Sequence, residues 1–362
     1  MSAESHVALI CSWLEPELVE RLRTDHPDIE FLYEPELLRP PRYPADHKGA
    51  ERTRSLAGER RWQSLLERAT ILFDFDQTHL EDLPERAPRA RWIQATSAGI
   101  GQFVRRMRYA ERMPGVVFTT ARGVHRAPLA EFAVMSMLLH ARRALHMMEA
   151  QRRRTWQRFA GTDLEGRTVV IVGLGAVGSE VARVAEALRM RVIALRRHPD
   201  RDLAGSEHAA TPGPRTGAPE PPPPRVLGPE SLTDVLPEAD FLVLIAPHTD
   251  ETEHMIGAAE LAALPPGAAL VNIGRGALVD EPALVAALTS GHLGGAYLDV
   301  FEEEPLPLES PLWGMPNVLV SPHSGSTSDR ENVRIADLFS ENLHRWQRGE
   351  PLLNRLDPDR LY

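Results

Sequence analysis

Three polar residues, each lying just beyond an apolar run, carry the reactive chemistry open to this 362-residue chain: Arg275, Glu304 and His323. An imidazole gives or takes a proton near neutral pH, a neighbouring carboxylate orients and charges it, and a guanidinium fork grips a carboxylate. Taken singly each has a plainer reading. Arg275 can be a loop cation, Glu304 one member of the run Glu302-Glu303-Glu304, and His323 a turn residue before Ser324-Gly325-Ser326. A second motif changes that balance. The apolar run ending at Val172 leads into Gly173-Leu174-Gly175-Ala176-Val177-Gly178, and residues 179–188 read as a helix. Between a buried strand and a helix, Gly173 permits a tight turn, Gly175 lets backbone N–H groups approach a pyrophosphate, and Gly178 lets helix and strand pack closely. The helix N-terminus adds unpaired N–H groups and partial positive charge for phosphates. We read a dinucleotide site, with the three polar residues as a reaction centre at strand ends beside it.

The next strand, 191–195, ends in Arg196-Arg197, where an NAD site usually carries Asp or Glu for the ribose hydroxyls. A carboxylate repels a 2′-phosphate, whereas guanidinium forks bind one in pairs of hydrogen bonds. The expectation is NADP(H) preferred with NAD(H) possible; the alternative is an arginine stacked on the adenine of NAD.

The positioning elements follow from the apolar pattern. Short β-branched runs at 7–11, 29–33, 70–73, 91–95 and 116–118 alternate with helical stretches such as 16–23 and 59–68. Such alternation predicts parallel βαβ units, so about the first 120 residues form an α/β domain of their own. The strand at 91–95 runs into Thr96-Ser97-Ala98-Gly99-Ile100-Gly101, whose small residues let backbone N–H groups point at an anion, although locally it reads as an ordinary turn. The crossover to a second domain is expected near residues 119–125. The mostly apolar helix at 128–143 must then be buried against something, such as a partner subunit. After the glycine motif, residues 201–229 are rich in Pro, Gly and Ala and read as a solvated insertion. Strands resume at 241–245, 268–273, 296–300 and 317–321. The fold class is therefore α/β, with doubly wound parallel sheets.

Composition excludes other classes. At 43% hydrophobic and 25% charged, the chain can bury a sizeable core, and its length suggests two domains. A net charge of −10 argues against nucleic-acid or anionic-membrane surfaces. Cys11 is the single cysteine, so no internal disulfide forms and a reducing cytoplasm fits. Residues 1–6 are short and polar, and the apolar run 7–13 is too short to span a membrane. No metal site is expected.

These residues resemble the D-isomer-specific 2-hydroxyacid dehydrogenase family, in its glyoxylate/hydroxypyruvate reductase-like branch. The likeness rests on the glycine motif, Asn272-Ile273-Gly274-Arg275-Gly276-Ala277-Leu278-Val279-Asp280, Asp299-Val300-Phe301-Glu302-Glu303-Glu304-Pro305-Leu306-Pro307, Ser310-Pro311-Leu312-Trp313 and Ser321-Pro322-His323. Ala98-Gly99 and Glu350-Pro351-Leu352-Leu353-Asn354 extend it. The resemblance implies two Rossmann-like or flavodoxin-like domains with a split substrate domain, 1–124 plus 327–362, around a dinucleotide domain, 125–326. The helix at 329–348 would cross back to the first domain, and the active site would lie in the cleft between them. It also implies a homodimer built on the helix at 128–143, acting on a small 2-oxo or 2-hydroxy acid.

By the same resemblance His323 is the proton donor in reduction, Glu304 its partner, and Arg275 the ligand of the substrate carboxylate. Ala98, Gly99 and Ile100 would offer backbone N–H groups to that carboxylate. Asp299 would face the nicotinamide carboxamide, and Ala246, Pro247, Thr252, Ile273, Gly274 and Gly325 would line the cofactor beside Gly173, Gly175, Ala176, Val177, Gly178, Arg196 and Arg197. Leu14, Tyr33, Phe75 and Trp313 are candidates to shape the substrate pocket. Formate dehydrogenases share the fold but carry glutamine where this chain has Glu304. Phosphoglycerate dehydrogenases often append a regulatory domain, for which no room follows Tyr362. A different class of function, a corepressor-like dinucleotide-sensing binding module, keeps the same fold and polar residues; turnover of 2-oxo acids separates it from an enzyme.

Overall fold

The computed structural model describes residues 6–199 and 223–357. The chain divides into two units, one of Met1–His125 with Thr327–Tyr362, the other Arg126–Ser326. In the first, β1 (His6–Ile10), α1 (Pro16–Asp25), β2 (Ile29–Leu32), α2 (Leu56–Arg68), β3 (Ile71–Phe73), α3 (Leu83–Arg86), β4 (Trp92–Gln94), α4 (Gly101–Arg106), α5 (Tyr109–Arg112) and β5 (Val117–Thr119) follow in order. Local chemistry sets the helix starts: Pro16 opens α1, and the Ser55 side chain accepts from the Gly58 N–H at the start of α2. The strands form one parallel sheet in the order β2-β1-β3-β4-β5. Ala8, Leu9, Ile10, Ile71, Leu72 and Phe73 are wholly buried, which is why these strands read as continuous apolar runs rather than alternating ones.

The second unit comprises α6 (Arg126–Ala141), α7 (Ala144–Arg152), β6 (Thr168–Val172), α8 (Ala176–Ala187), β7 (Arg191–Leu195), β8 (Arg225–Leu227), α9 (Leu232–Val235), β9 (Phe241–Leu244), α10 (Ala258–Ala263), β10 (Ala269–Asn272), α11 (Glu281–Thr289), β11 (Gly295–Leu298) and β12 (Val318–Val320). Its parallel sheet, in the order β12-β11-β10-β9-β6-β7-β8, reverses its winding between β6 and β9. Two parallel doubly wound α/β sheets are therefore present, as the alternation predicts.

Two expectations need correction. The proline-rich insertion does not extend to residue 229, because Arg225–Leu227 forms β8 on the open edge of β7. Its three residues supply the backbone partners that edge lacks, too short a run to stand out beside four prolines. Residues 200–222 of the expected insertion lie outside the described residues. The apolar helix ends earlier than expected, since Arg143 takes a left-handed conformation (φ 54°) and α7 begins after it. Much of its apolar character is satisfied within its own unit, where Ala130, Ala133, Met137 and Ala141 are buried. Met135 and Leu138 stay about 40% exposed along a groove of ≈ 530 Å³ on the outer side.

The final helix, α12 (Glu331–Arg348), belongs to the first unit. It buries Ile335, Ala336, Phe339 and Leu343, and the Phe339 ring lies 5.1 Å from Phe73 and 5.2 Å from Trp92. A buried polar chain fixes its register. Asn342 Nδ2 donates to Gln94 Oε1 at 3.0 Å and Asn342 Oδ1 accepts from the Leu353 N–H at 2.7 Å, while Thr119 Oγ1 donates to Gln94 Oε1 at 2.8 Å. Asn342→Ala strands the Leu353 N–H without its acceptor. It should cost about 1–3 kcal/mol, read as a lower denaturation midpoint with an unchanged slope. No helix among the described residues is long and apolar enough to cross a membrane, and no group of His, Cys, Asp or Glu among them is arranged to hold a metal ion.

Candidate active site

The glycine turn of the second unit has the shape its three glycines allow. Gly173 has φ 111°, and a Cβ there would lie 2.8 Å from the Ala246 nitrogen. A Cβ on Gly178 would lie 2.1 Å from the Gly173 carbonyl oxygen, so the helix can start this close to β6 only with glycine. Around Gly175, by contrast, a Cβ would meet nothing within 4 Å. Gly175 is the N-cap of α8 and offers no side-chain cap, so the N–H groups of the first turn, at Ala176 and Val177, have no capping side chain. An open, uncapped helix start at the winding reversal fits a pyrophosphate.

Ala246 and Pro247 follow β9 and border this turn through the Ala246 backbone. Ile273 and Gly274 follow β10, and Ile273 is buried. The Thr252 hydroxyl is spent inside its own loop, donating to the Pro247 carbonyl and accepting from the Thr249 N–H, both at 2.8 Å. Arg196 and Arg197 leave β7 at the surface, where Arg196 Nε donates to the His198 carbonyl and Arg197 pairs with Glu251.

Arg275, Glu304 and His323 come from the loops after β10, β11 and β12, and all three lie in this unit. His323 Nδ1 is 2.7 Å from Glu304 Oε2, and Glu304 Oε1 accepts from the Phe301 N–H at 3.1 Å. Burial acts to raise the Glu304 carboxyl, but the hydrogen bond and charge of His323, the Phe301 N–H and the charge of Arg275 outweigh it and hold it below its ordinary value. Burial lowers the Arg275 guanidinium from its usual value, opposed by the Glu304 charge. The set joins an ionised carboxylate to an imidazole, with a partly buried guanidinium in electrostatic reach.

Residues given other roles, or none, by sequence reasoning hold this set in place. Asp299 Oδ1 accepts from the Ser321 hydroxyl and from the Ser324 and Gly325 N–H groups, both at 2.8 Å, and so clamps the loop that presents His323. His323 itself has φ 53°. Asn272 Nδ2 donates to the Arg275 carbonyl at 2.9 Å and its Oδ1 accepts from the Gly274 N–H, fixing the loop of Arg275. Gly276 lets that loop touch the next, since a Cβ there would fall 1.8 Å from the Phe301 carbonyl carbon. Of the acidic run, Glu302 turns instead to His254, 2.8 Å away. A polar residue directly ending each apolar run, as Asn272 and Asp299 do, was the available signal.

In the first unit Ser97, Ala98 and Gly99 are exposed and Ile100 is buried just before α4. Leu14 and Phe75 pack into hydrophobic cores rather than lining an opening, and Tyr33 is held by the Leu14 backbone. Trp313 is half-exposed in the second unit, its indole N–H on the Pro307 carbonyl at 2.9 Å.

An α/β unit with a glycine turn, an uncapped helix start and an Arg, Glu and His on successive strand-end loops belongs to the class of nicotinamide-dinucleotide-binding proteins. Residues 134–214 and 217–325, over half the chain, match the model of the D-isomer specific 2-hydroxyacid dehydrogenase NAD binding domain. A glyoxylate reductase of Aeropyrum pernix is 35% identical over 280 residues, covering 74% of this chain and 77% of that protein. Glyoxylate/hydroxypyruvate reductase B of Pectobacterium carotovorum is 34% identical over 287 residues, 77% of this chain and 82% of that one. The crystal structure of a D-isomer specific 2-hydroxyacid dehydrogenase from Xanthobacter autotrophicus, in complex with NADPH and MES, aligns with TM-score 0.74 at 29% identity over 99% of this chain and 100% of the other. The chain belongs to the D-isomer-specific 2-hydroxyacid dehydrogenase family.

Proposed function

We propose that this chain reduces a small 2-oxo acid to a D-2-hydroxy acid, with His323 delivering the proton to the carbonyl oxygen. The observation that carries the reading is the 2.7 Å pairing of His323 Nδ1 with an ionised Glu304 carboxylate. That contact orients the ring and leaves Nε2 to serve a substrate. Arg275 would grip the substrate carboxylate with its planar fork, and backbone N–H groups of Ala98, Gly99 and Ile100 would add to that grip. A bound nicotinamide dinucleotide would supply the hydride. The corepressor-like module remains the rival class. Incubating the purified protein with NADPH and glyoxylate, hydroxypyruvate, phenylpyruvate or a branched-chain 2-oxo acid decides: oxidation of NADPH with one of them supports the enzyme, and none with any overturns it.

The preference for NADP(H) over NAD(H) is part of the proposal and rests on Arg196 and Arg197. A 2′-phosphate must take Arg197 from Glu251, but that pair is exposed (46% and 72%) and holds weakly, at about 0–1 kcal/mol. A charge-assisted phosphate contact contributes about 1.5–3 kcal/mol. Changing both arginines to Ser should therefore weaken NADPH binding by roughly ten-fold or more while leaving NADH little affected. Fluorescence titration of the dinucleotides measures this without turnover, and equal affinities in the parent protein would remove the argument. Two further elements complete the proposal: a homodimer contact over the groove beside Met135 and Leu138, checked by light scattering, and a cytoplasmic location.

A further inference from the structure

A buried polar cluster in the first unit is unused by the chemistry above. The sheet of that unit reverses its winding between β1 and β3, and in open parallel α/β sheets ligands bind at the strand carboxyl ends beside such a reversal. This chain places imidazoles and carboxylates there. Ser12, two residues after β1, has its hydroxyl 3.2 Å from His47 Nδ1. Asp74 directly follows β3, at φ 70° and 3% exposed, and hydrogen-bonds with Thr96 beyond β4. Glu331, the first residue of α12, lies 3.2 Å from His125 Nε2 and 3.9 Å from His47 Nε2.

Withdrawing four titratable side chains from water is costly unless their polar atoms find partners. Asp74 Oδ2, His47 Nε2 and Glu331 Oε2 are buried and have no hydrogen-bond partner among the described residues. Burial pushes the Asp74 carboxyl up and the His47 imidazole down. Both groups are thus biased toward neutral forms that exchange hydrogen bonds rather than hold a counter-ion. The cluster also adjoins a loop already given a role, since Thr96 immediately precedes Ser97-Ala98-Gly99-Ile100.

We propose that Asp74 and His47 form a specificity subsite that reads the substrate's side chain, accepting a neutral hydroxyl-bearing one and rejecting apolar or anionic ones. The inference rests on the 2-oxo-acid reading given under Proposed function. A hydroxyl satisfies both unpaired groups, donating to a carboxyl oxygen while accepting from an imidazole N–H. A methyl in its place leaves both stranded, and a second substrate carboxylate would have to shed its water beside groups that are held neutral.

The test compares kcat/KM for hydroxypyruvate with that for 2-oxobutyrate, which puts a methyl where the hydroxyl stands, with glyoxylate as a substrate lacking a side chain. The parent protein should favour hydroxypyruvate over 2-oxobutyrate by about 10²-fold or more. Asp74→Asn and His47→Gln should shrink that ratio to about ten-fold or less, chiefly through KM for hydroxypyruvate. Ser12→Ala, which removes only the hydroxyl orienting His47, should shrink it too and serves where a buried substitution prevents folding. Equal use of the two substrates by the parent overturns the subsite, as does an undiminished ratio in folded variants, which would leave the cluster a structural one bridged by water. Glyoxylate turnover without discrimination sinks the subsite alone. Absence of turnover with all three sinks the 2-oxo-acid reading and the subsite with it.

Discussion

His323→Asn should lower turnover of a 2-oxo acid by about 10²–10⁴ while dinucleotide affinity is retained. Asparagine keeps a polar side chain of similar reach but cannot deliver a proton to the developing alkoxide. The pH dependence follows from that proton, and the partner carboxylate has a dependence of its own. Glu304 is held below its ordinary value, so it stays ionised as pH falls through the usual carboxylate range. Its carboxylate, 2.7 Å from Nδ1, orients the ring for that delivery. Reduction consumes a proton and oxidation releases one, so reduction should slow as pH rises and oxidation should show the opposite dependence. Glu304→Gln removes the charged partner but keeps a polar side chain beside the ring, and should cost less turnover than His323→Asn. Stability runs the other way: the depressed Glu304 carboxylate contributes above its unfolded value and loses that contribution as pH falls through its folded one. The pH profiles of both variants beside the parent protein measure this, and parental turnover by His323→Asn would show that another group is the acid.

Gly276→Ala should cost about 10²-fold in kcat/KM, although the glycine touches no reacting atom. The added Cβ would sit 1.8 Å from the Phe301 carbonyl carbon and 2.0 Å from its oxygen, both backbone atoms that cannot swing aside. Either the loop of Arg275 or the loop leading to Glu304 must move, and a displacement of about 1 Å is enough for a loss of that size. Overpacking of this kind also destabilises by about 1–3 kcal/mol, so a lower Tm should accompany the kinetic change. Gly314→Ala is the control, because a Cβ there meets nothing within 4 Å. Kinetics and melting of the two variants side by side test the argument. Full activity in Gly276→Ala would mean that the two loops need not touch.

Much of this architecture is legible in the sequence. Strands buried on both faces leave unbroken apolar runs, so β1, β3, β6, β9 and β10 declare themselves. The glycine motif is equally explicit, since each glycine answers to a local backbone demand: a positive φ at Gly173, a carbonyl 2.1 Å from a Cβ at Gly178. Where the requirement is not local, the sequence is silent. Glu302, Glu303 and Glu304 are the same residue three times over, and only the path of the loop after β11 turns Glu304 to His323 and Glu302 to His254. That Asp299 also clamps the loop of His323 shows only in the fold, which brings Ser321, Ser324 and Gly325 back from β12 to its Oδ1, 22 to 26 residues away. Leu14 and Phe75 look like pocket walls until packing closes over them. The cluster of Ser12, His47, Asp74 and Glu331 has no sequence signature at all, because it gathers residues up to about 320 positions apart, from the loops after β1 and β3, a third loop and the start of α12. Hydrophobic periodicity and glycine conformation act within a few residues and can be read along the chain. Hydrogen-bond partners and desolvation depend on which loops the sheet brings together, and that the tertiary structure alone decides.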